Sequence, residues 1–188
     1  MDRREHVTGS TRTELLHWQL DVALSLLELH LQDLTDHECL WEPGTPCWTV
    51  RRRSDGRWHV DPPGPATSAV VTSIGWSIWH VGYWWSQTYV DTFGSGPRRR
   101  PEEVCWPGDA DLAVEWLSRL ATRWTRALES LDDADLESTA RSAWFLRGTR
   151  PLGYLLAWTN LELTRSATEI GAIRRLYACR HAPDRLAS

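Results

Sequence analysis

Ser73-Ile74-Gly75-Trp76-Ser77-Ile78-Trp79-His80-Val81-Gly82-Tyr83-Trp84-Trp85 is the most aromatic and apolar run of this chain. The wider segment from Val70 to Val90 is apolar enough to be weighed as a membrane span. It also carries Thr72, Ser73, Ser77, His80, Ser86 and Gln87, which are spread around the helix it would form. Polar groups on every side suit a helix buried among other helices better than one facing lipid, so the run predicts a bundle helix. His80 is its single histidine. A polar ring in an apolar helix needs a partner or loses roughly 1–3 kcal/mol. A carbonyl, a carboxylate and a metal ion are the candidates, and a satisfied core histidine with no further role is the plain alternative.

Working outward, this helix is expected from about Thr67 to Phe93 (residues 67–93). Before it, Leu16, Leu20, Ala23, Leu27, Leu31 and Leu34 recur at three- and four-residue spacing and predict a helix from about Thr13 to Leu34, within residues 10–35. Thr35-Asp36-His37-Glu38 reads as a capping box for a short turn of helix stopped by Pro43-Gly44. Between Cys47 and Val60, alternating β-formers flank Asp55-Gly56, which predicts a hairpin over residues 47–60 with Trp48 facing Trp58. Asp109 or Asp111 should cap a third helix (109–131) with Leu112, Trp116, Leu120, Trp124, Ala127 and Leu131 as its buried stripe. Pro151 should open a fourth (151–179). The acidic run Asp132-Asp133-Ala134-Asp135 is a weak calcium candidate, lacking the glycine and distal glutamate of a full loop. The expected fold is all-α: one domain over residues 1–188, a four-helix bundle with a β-hairpin inserted between the first and second long helices.

Composition narrows the function classes. The chain has 188 residues and a net charge of −4, and its 21 basic residues are all arginine. Exclusive arginine use fits a GC-rich bacterial source. The triplets Arg51–Arg53 and Arg98–Arg100 lie beside Gly, Pro, Ser or Asp and read as solvated loops, so nucleic-acid binding is not suggested. Cys39, Cys47, Cys105 and Cys179 are scattered without a C-x-x-C, which fits reduced thiols. Met1 to His6 is charged and lacks an apolar run, so no secretion signal is expected. A cytoplasmic protein without membrane partners is the expectation.

On the fourth helix Glu162, Ser166 and Glu169 follow i, i+4, i+7 spacing and share one side, which Leu155 and Ile173 extend. Inward carboxylates need a partner or a cation. The alternative is a solvated face on which Arg165 pairs with Glu162 and Glu169.

The order and spacing of several motifs resemble the actinobacterial branch of the DinB/YfiT-like superfamily. They are Leu34-Thr35-Asp36-x-Glu38, Trp41-x-Pro43, Trp48-Thr49-Val50-Arg51, Asp55-Gly56-x-Trp58 and Trp76-x-x-Trp79-His80-Val81, then Asn160-x-Glu162, Ala167-x-Glu169-Ile170 and Arg174. The resemblance implies a four-helix bundle, often a homodimer. It often carries a divalent metal held by one histidine of the second helix and an H-x-x-x-H pair of the last. Relatives include transferases and isomerases that use mycothiol, bacillithiol or glutathione, and toxin-modifying resistance proteins. Carried onto this chain, His80 matches the first histidine, whereas the last-helix pair falls on Glu162 and Ser166. A zinc or nickel site would then rest on His80, Glu162 and Glu169, with His30 and His17 as outside donors. Without metal, His80 and Glu162 would form an acid/base dyad, approaching each other inside the bundle.

Trp76, Trp79, Trp84 and Trp158, with Ser166, are the expected substrate contacts, although core packing is the default for tryptophan. An aromatic-lined pocket suits a flat or apolar organic molecule better than a phosphate-rich one. The expected function is therefore a small-molecule enzyme of the thiol transferase, isomerase or hydrolase type, in bacterial specialised metabolism, with His80 and Glu162 at its centre. A non-catalytic ligand-binding or self-resistance protein that has lost the metal site is the alternative.

Overall fold

In the computed structural model, which describes residues 11–63, 70–94 and 96–181, α1 (Arg12–Leu31) opens at a capping box. The Thr11 hydroxyl accepts from the Glu14 amide and the Glu14 carboxylate accepts from the Thr11 amide. Leu16, Leu20, Ala23, Leu27 and Leu31 are its buried stripe, as the spacing predicts. Asp33 turns the chain with a φ of 53°. The Thr35 box then forms as read, with Glu38 answering, and starts α2 (Asp36–Leu40).

The hairpin is shorter than expected. Strands β2 (Val50–Arg52) and β3 (Trp58–Val60) pair antiparallel with Arg52 opposite Trp58. Gly56 alone takes a positive φ, 80°, while its amide donates to Arg53 O and the Arg53 amide to Arg57 O. This is a three-residue loop with a glycine bulge, where a two-residue turn would need positive φ at both Asp55 and Gly56. Cys47 and Trp48 leave the hairpin altogether. They form β1 (Cys47–Trp48), which pairs in parallel with β4 (Val71–Thr72). Thr49 is the pivot: its amide donates to the Asp61 carboxylate and its hydroxyl to Ser73 Oγ. Trp48 therefore packs on Trp76, and Trp58 on Trp106, instead of on each other.

Helix α3 (Ile74–Phe93) is capped by Ser73 and ends at Gly94 in the left-handed region. It starts later than expected because Val71 and Thr72 are strand; Thr67, the expected start, lies outside the described residues. Helix α4 (Ala110–Glu129) is capped by Asp109. Leu120, Trp124, Ala127 and Leu131 are buried as the spacing predicts; in the first half of the helix Ala113 and Leu117 are buried instead, leaving Leu112 exposed and Trp116 half-buried. The acidic run caps α5 (Asp133–Glu137): Asp132 accepts from the Asp135 amide, and Asp133 accepts from Thr13. Its oxygens are committed to the fold and do not form a calcium loop. Helix α6 (Leu152–His181) is the last element among the described residues.

The chain described is mostly helical, and α1, α3, α4 and α6 are long and pack on one another. Asn160 Nδ2 donates to Leu16 O near the start of α1 and α6, and Arg174 reaches His30 O near their ends, so the two helices run parallel. Helix α3 runs against α6, placing Trp84 on Trp158 and Thr72 on Glu169. It runs with α4, since Gly82 abuts Trp116 and Phe93 abuts Trp124. Parallel neighbours need a long return: residues 96–109 pass back along the bundle, bonded by Trp79 Nε1 to Val104 O and by the Arg99 amide to Gln87 Oε1. Among the described residues no helix is long and apolar enough to cross a membrane.

Arg174 staples the end of α1. Its guanidinium donates to Glu38 Oε1 at 3.1 Å, to His30 O at 3.1 Å and to Gln32 O at 2.8 Å. Two of those carbonyls lie at the α1 terminus, where helical partners run out. Replacing Arg174 by Leu should cost roughly 2–4 kcal/mol, because the partners left behind are partly buried. Equilibrium urea unfolding reads this directly, and a loss below about half a kcal/mol, the scale of an exposed pair, would show that the staple is idle.

Candidate active site

The site is built where α3 and α6 face each other. One stripe of α3 holds Trp76, His80 and Trp84 at i, i+4, i+8; one stripe of α6 holds Trp158, Glu162, Arg165 and Glu169 at i, i+4, i+7, i+11. Because the helices are antiparallel, Trp84 meets Trp158 (ring centroids 6.0 Å apart), His80 comes level with Glu162 and Arg165, and Glu169 takes a hydrogen bond from Thr72 at 3.3 Å.

The hairpin positions the upper half of the α3 stripe. Asp61 holds Arg51 and the Thr49 amide with its carboxylate, and its carbonyl accepts from Trp76 Nε1 at 2.8 Å. Trp76 is thereby fixed between Trp48, 5.1 Å away, and His80, whose ring is stacked on it at 4.8 Å and 9°. Gly75 lets the start of α3 lie close to Val50 and Cys39, since a Cβ there would stand 2.9 Å from Val50 and 3.1 Å from Cys39 O.

His80 makes no hydrogen bond to a carbonyl or carboxylate among the described residues, the two protein partners expected for it. The ring is half-buried, and neither nitrogen is among the fully buried unpartnered atoms of the described residues. Its pKa is pushed down to about 4, first by burial and then by the positive charge of Arg165; Glu162 pulls the other way. His80 and Glu162 thus feel each other electrostatically, while the carboxylate's hydrogen bond goes elsewhere. Arg165 Nε donates to Glu162 Oε2 at 2.9 Å, and Arg165 Nη1 to Glu169 Oε2 at 3.2 Å. The solvated pairing weighed from the sequence is the one that forms.

The remaining expected contacts divide. Trp84 and Trp158 lie together with Phe145 behind Trp158, and Trp158 is partly exposed. Trp79 is in the core, its N–H committed to Val104 O and its ring stacked on Tyr83. Ser166 is buried and its hydroxyl has no partner among the described residues. Arg165, Trp48 and Asp61 belong to the site's construction and were not among the expected site residues. The signal for Arg165 was its position three residues after Glu162 and four before Glu169.

The donor set does not fit a zinc or nickel ion. Among the described residues no three His, Cys, Asp or Glu side chains come together to hold one. Both expected carboxylates are committed to Arg165, and the position beside His80 already carries a guanidinium charge, which repels a cation. His30, the outside donor, lies against Gly171 and near Arg174 and Arg175. Of the chain's thiols, Cys39 is pushed up to about 12 and Cys47 to about 11, chiefly by burial, so neither is a thiolate near neutral pH.

The sequence model of the DinB superfamily matches residues 19–165. The chain belongs to the DinB superfamily. No curated protein matches its sequence. A crystal structure described as that of a conserved protein from Enterococcus faecalis aligns with a TM-score of 0.53 and 17% identity, covering 89% of this chain and 98% of that one. At that identity the likeness speaks for the fold alone. The stretch matched to the DinB superfamily contains His80, Glu162 and Arg165, and stops just short of Ser166 and Glu169.

The low pKa of His80 ties stability to pH. The unfolded chain protonates this ring near 6.5, the folded chain only near 4. Between those values the unfolded state holds more protons, so stability is full above about pH 6.5 and falls as pH drops toward 4, by up to about 1.4 kcal/mol per unit. Urea unfolding of wild type and His80→Phe at pH 7, 6 and 5 should show the wild type losing more, and equal slopes would refute a depressed His80. In the ring-proton NMR titration, Arg165→Gln should move the His80 midpoint upward.

Proposed function

We propose that this protein is a small-molecule enzyme acting on an apolar or aromatic organic substrate, with His80 as its proton-transfer group and Arg165, held by Glu162 and Glu169, as its fixed positive charge. The observation that carries this reading is the half-open, neutral imidazole stacked on Trp76 and level with a guanidinium, on a face flanked by Trp84 and Trp158. A neutral ring nitrogen accepts a proton; a neighbouring cation favours the anion that results.

In outline, His80 takes the proton of a thiol or of water and the anion formed beside Arg165 attacks an electrophilic carbon. The proton then leaves with the departing group. Thiol transfer with a low-molecular-weight thiol such as mycothiol, isomerisation and hydrolysis all share this first step. A substrate group that pairs with Arg165 removes one of the two effects that depress His80 and brings its pKa closer to neutrality, where proton transfer is most effective. The reading needs no metal. Action within bacterial specialised metabolism and assembly as a homodimer remain parts of the proposal that rest on the family resemblance.

The second reading is a non-catalytic ligand-binding or self-resistance protein. The pKa of about 4 favours it, because so weak a base serves better as a hydrogen-bond acceptor than as a catalyst.

Two probe reactions separate them: conjugation of mycothiol or glutathione to 1-chloro-2,4-dinitrobenzene, and hydrolysis of p-nitrophenyl acetate. The enzyme reading expects turnover in at least one, reduced about 100-fold or more in His80→Gln, within the range of lost acid–base catalysis. Turnover that survives His80→Gln contradicts it. Saturable binding of an aromatic probe without turnover, weakened in Trp158→Ala, favours the second reading.

A further inference from the structure

A groove of about 770 Å³ lies away from His80, between α3, α4 and the returning segment that carries Arg99 to Pro107. We propose that it is a binding site for a small organic anion, a molecule with a flat apolar body and a carboxylate or sulfonate group.

The floor is apolar. Trp116 lies across it with its ring against Gly82, where a Cβ would come within 2.3 Å of the indole, and Val90 and Leu120 complete the surface. Only glycine at 82 lets the indole lie this close to α3. A slot of this size with an aromatic floor matches the ordinary dimensions of small-molecule sites.

The polar groups around it are mainly donors and cations. Arg99, Arg119 and Arg123 line it. Arg123 is steadied over the Tyr89 ring at 4.3 Å and Arg119 is anchored to Glu115 on its own helix, so both guanidinium positions are defined. Arg99 has no ion pair among the described residues. Glu103 is the one carboxylate of the lining; it is bonded by the amide and the guanidinium of Arg100, and its charge also interacts with Arg99. Gln87 is more than nine-tenths buried, and its Oε1 accepts from the Arg99 amide at 2.8 Å. That bond fixes the amide's orientation and leaves Nε2, a donor, with no partner among the described residues. In a chain whose net charge is −4, this concentration of positive charge and oriented donors around an apolar slot selects an anion. The arginine fork suits planar carboxylate and sulfonate groups.

Cys105 lies in the lining and is a free thiol, which gives the site a built-in reporter; Cys179, exposed at the far end of α6, is the control. The test uses the full chain and 8-anilinonaphthalene-1-sulfonate, with its neutral analogue N-phenyl-1-naphthylamine. Fluorescence titration should give saturable binding of the sulfonate, at least about tenfold tighter than the neutral analogue. The bound sulfonate should slow alkylation of Cys105 by iodoacetamide and leave Cys179 unchanged, as read by peptide mass spectrometry. Arg99→Glu, an exposed loop change that leaves the helices intact, should weaken binding about tenfold or more, and Arg99→Ala should weaken it less. Three results each overturn the proposal: no saturable binding up to roughly millimolar sulfonate, sulfonate binding that leaves Cys105 labelling unchanged, or equal affinity in wild type and Arg99→Glu.

Discussion

Arg165 lies between two carboxylates on the one stripe of α6 that faces His80, and much of the site follows from that placement. The guanidinium neutralises Glu162 and Glu169, which otherwise would repel each other or require a cation. It takes up the hydrogen-bonding capacity that the sequence spacing offered to an ion. It also acts across the α3–α6 interface, adding its charge to the burial that keeps His80 neutral. These pairs are partly exposed, so their own contribution to stability is small. Their consequence is electrostatic: they fix the sign and position of the charge next to His80.

The hairpin between α1 and α3 has a structural purpose that the bundle alone does not explain. Asp61 gathers Thr49, Arg51 and the Trp76 indole, and Trp76 carries the stack from Trp48 to His80. The imidazole is therefore oriented by ring contact and by a hydrogen bond made two groups away. This is an indirect form of positioning that leaves both ring nitrogens available. The same economy appears elsewhere along α3, where Gly82 admits Trp116 and Gln87 secures the returning segment.

Much of the fold was legible in the sequence because it rests on local signals. The Thr35–Glu38 box, the α1 leucine stripe and the Asp109 cap act within a turn or two of chain, and each forms as read. What failed depended on distant partners. Trp48 is drawn from the hairpin into a parallel pairing with Thr72 by contacts that involve Thr49, Asp61 and Ser73, residues with no sequence pattern linking them. At the start of α4, Ala113 and Leu117 take the buried positions expected of Leu112 and Trp116, while Trp116 finds its place over Gly82, which no periodicity along α4 could reveal. In the site, the spacing placed Glu162, Ser166 and Glu169 together, but whether two carboxylates meet a metal or an arginine is decided by side-chain geometry between them. Arg165 stood at the right spacing for both, and helical i+3 and i+4 pairing won.

The central claim is that a guanidinium, and not a divalent ion, supplies the positive charge beside His80. Titration of chelator-treated protein with zinc and with nickel, followed by elemental analysis of wild type and His80→Ala after dialysis, tests it most directly. With Arg165 in that place, neither metal is retained stoichiometrically in a way that depends on His80, and the two proteins match. One full equivalent that survives dialysis in wild type and vanishes in His80→Ala would contradict it.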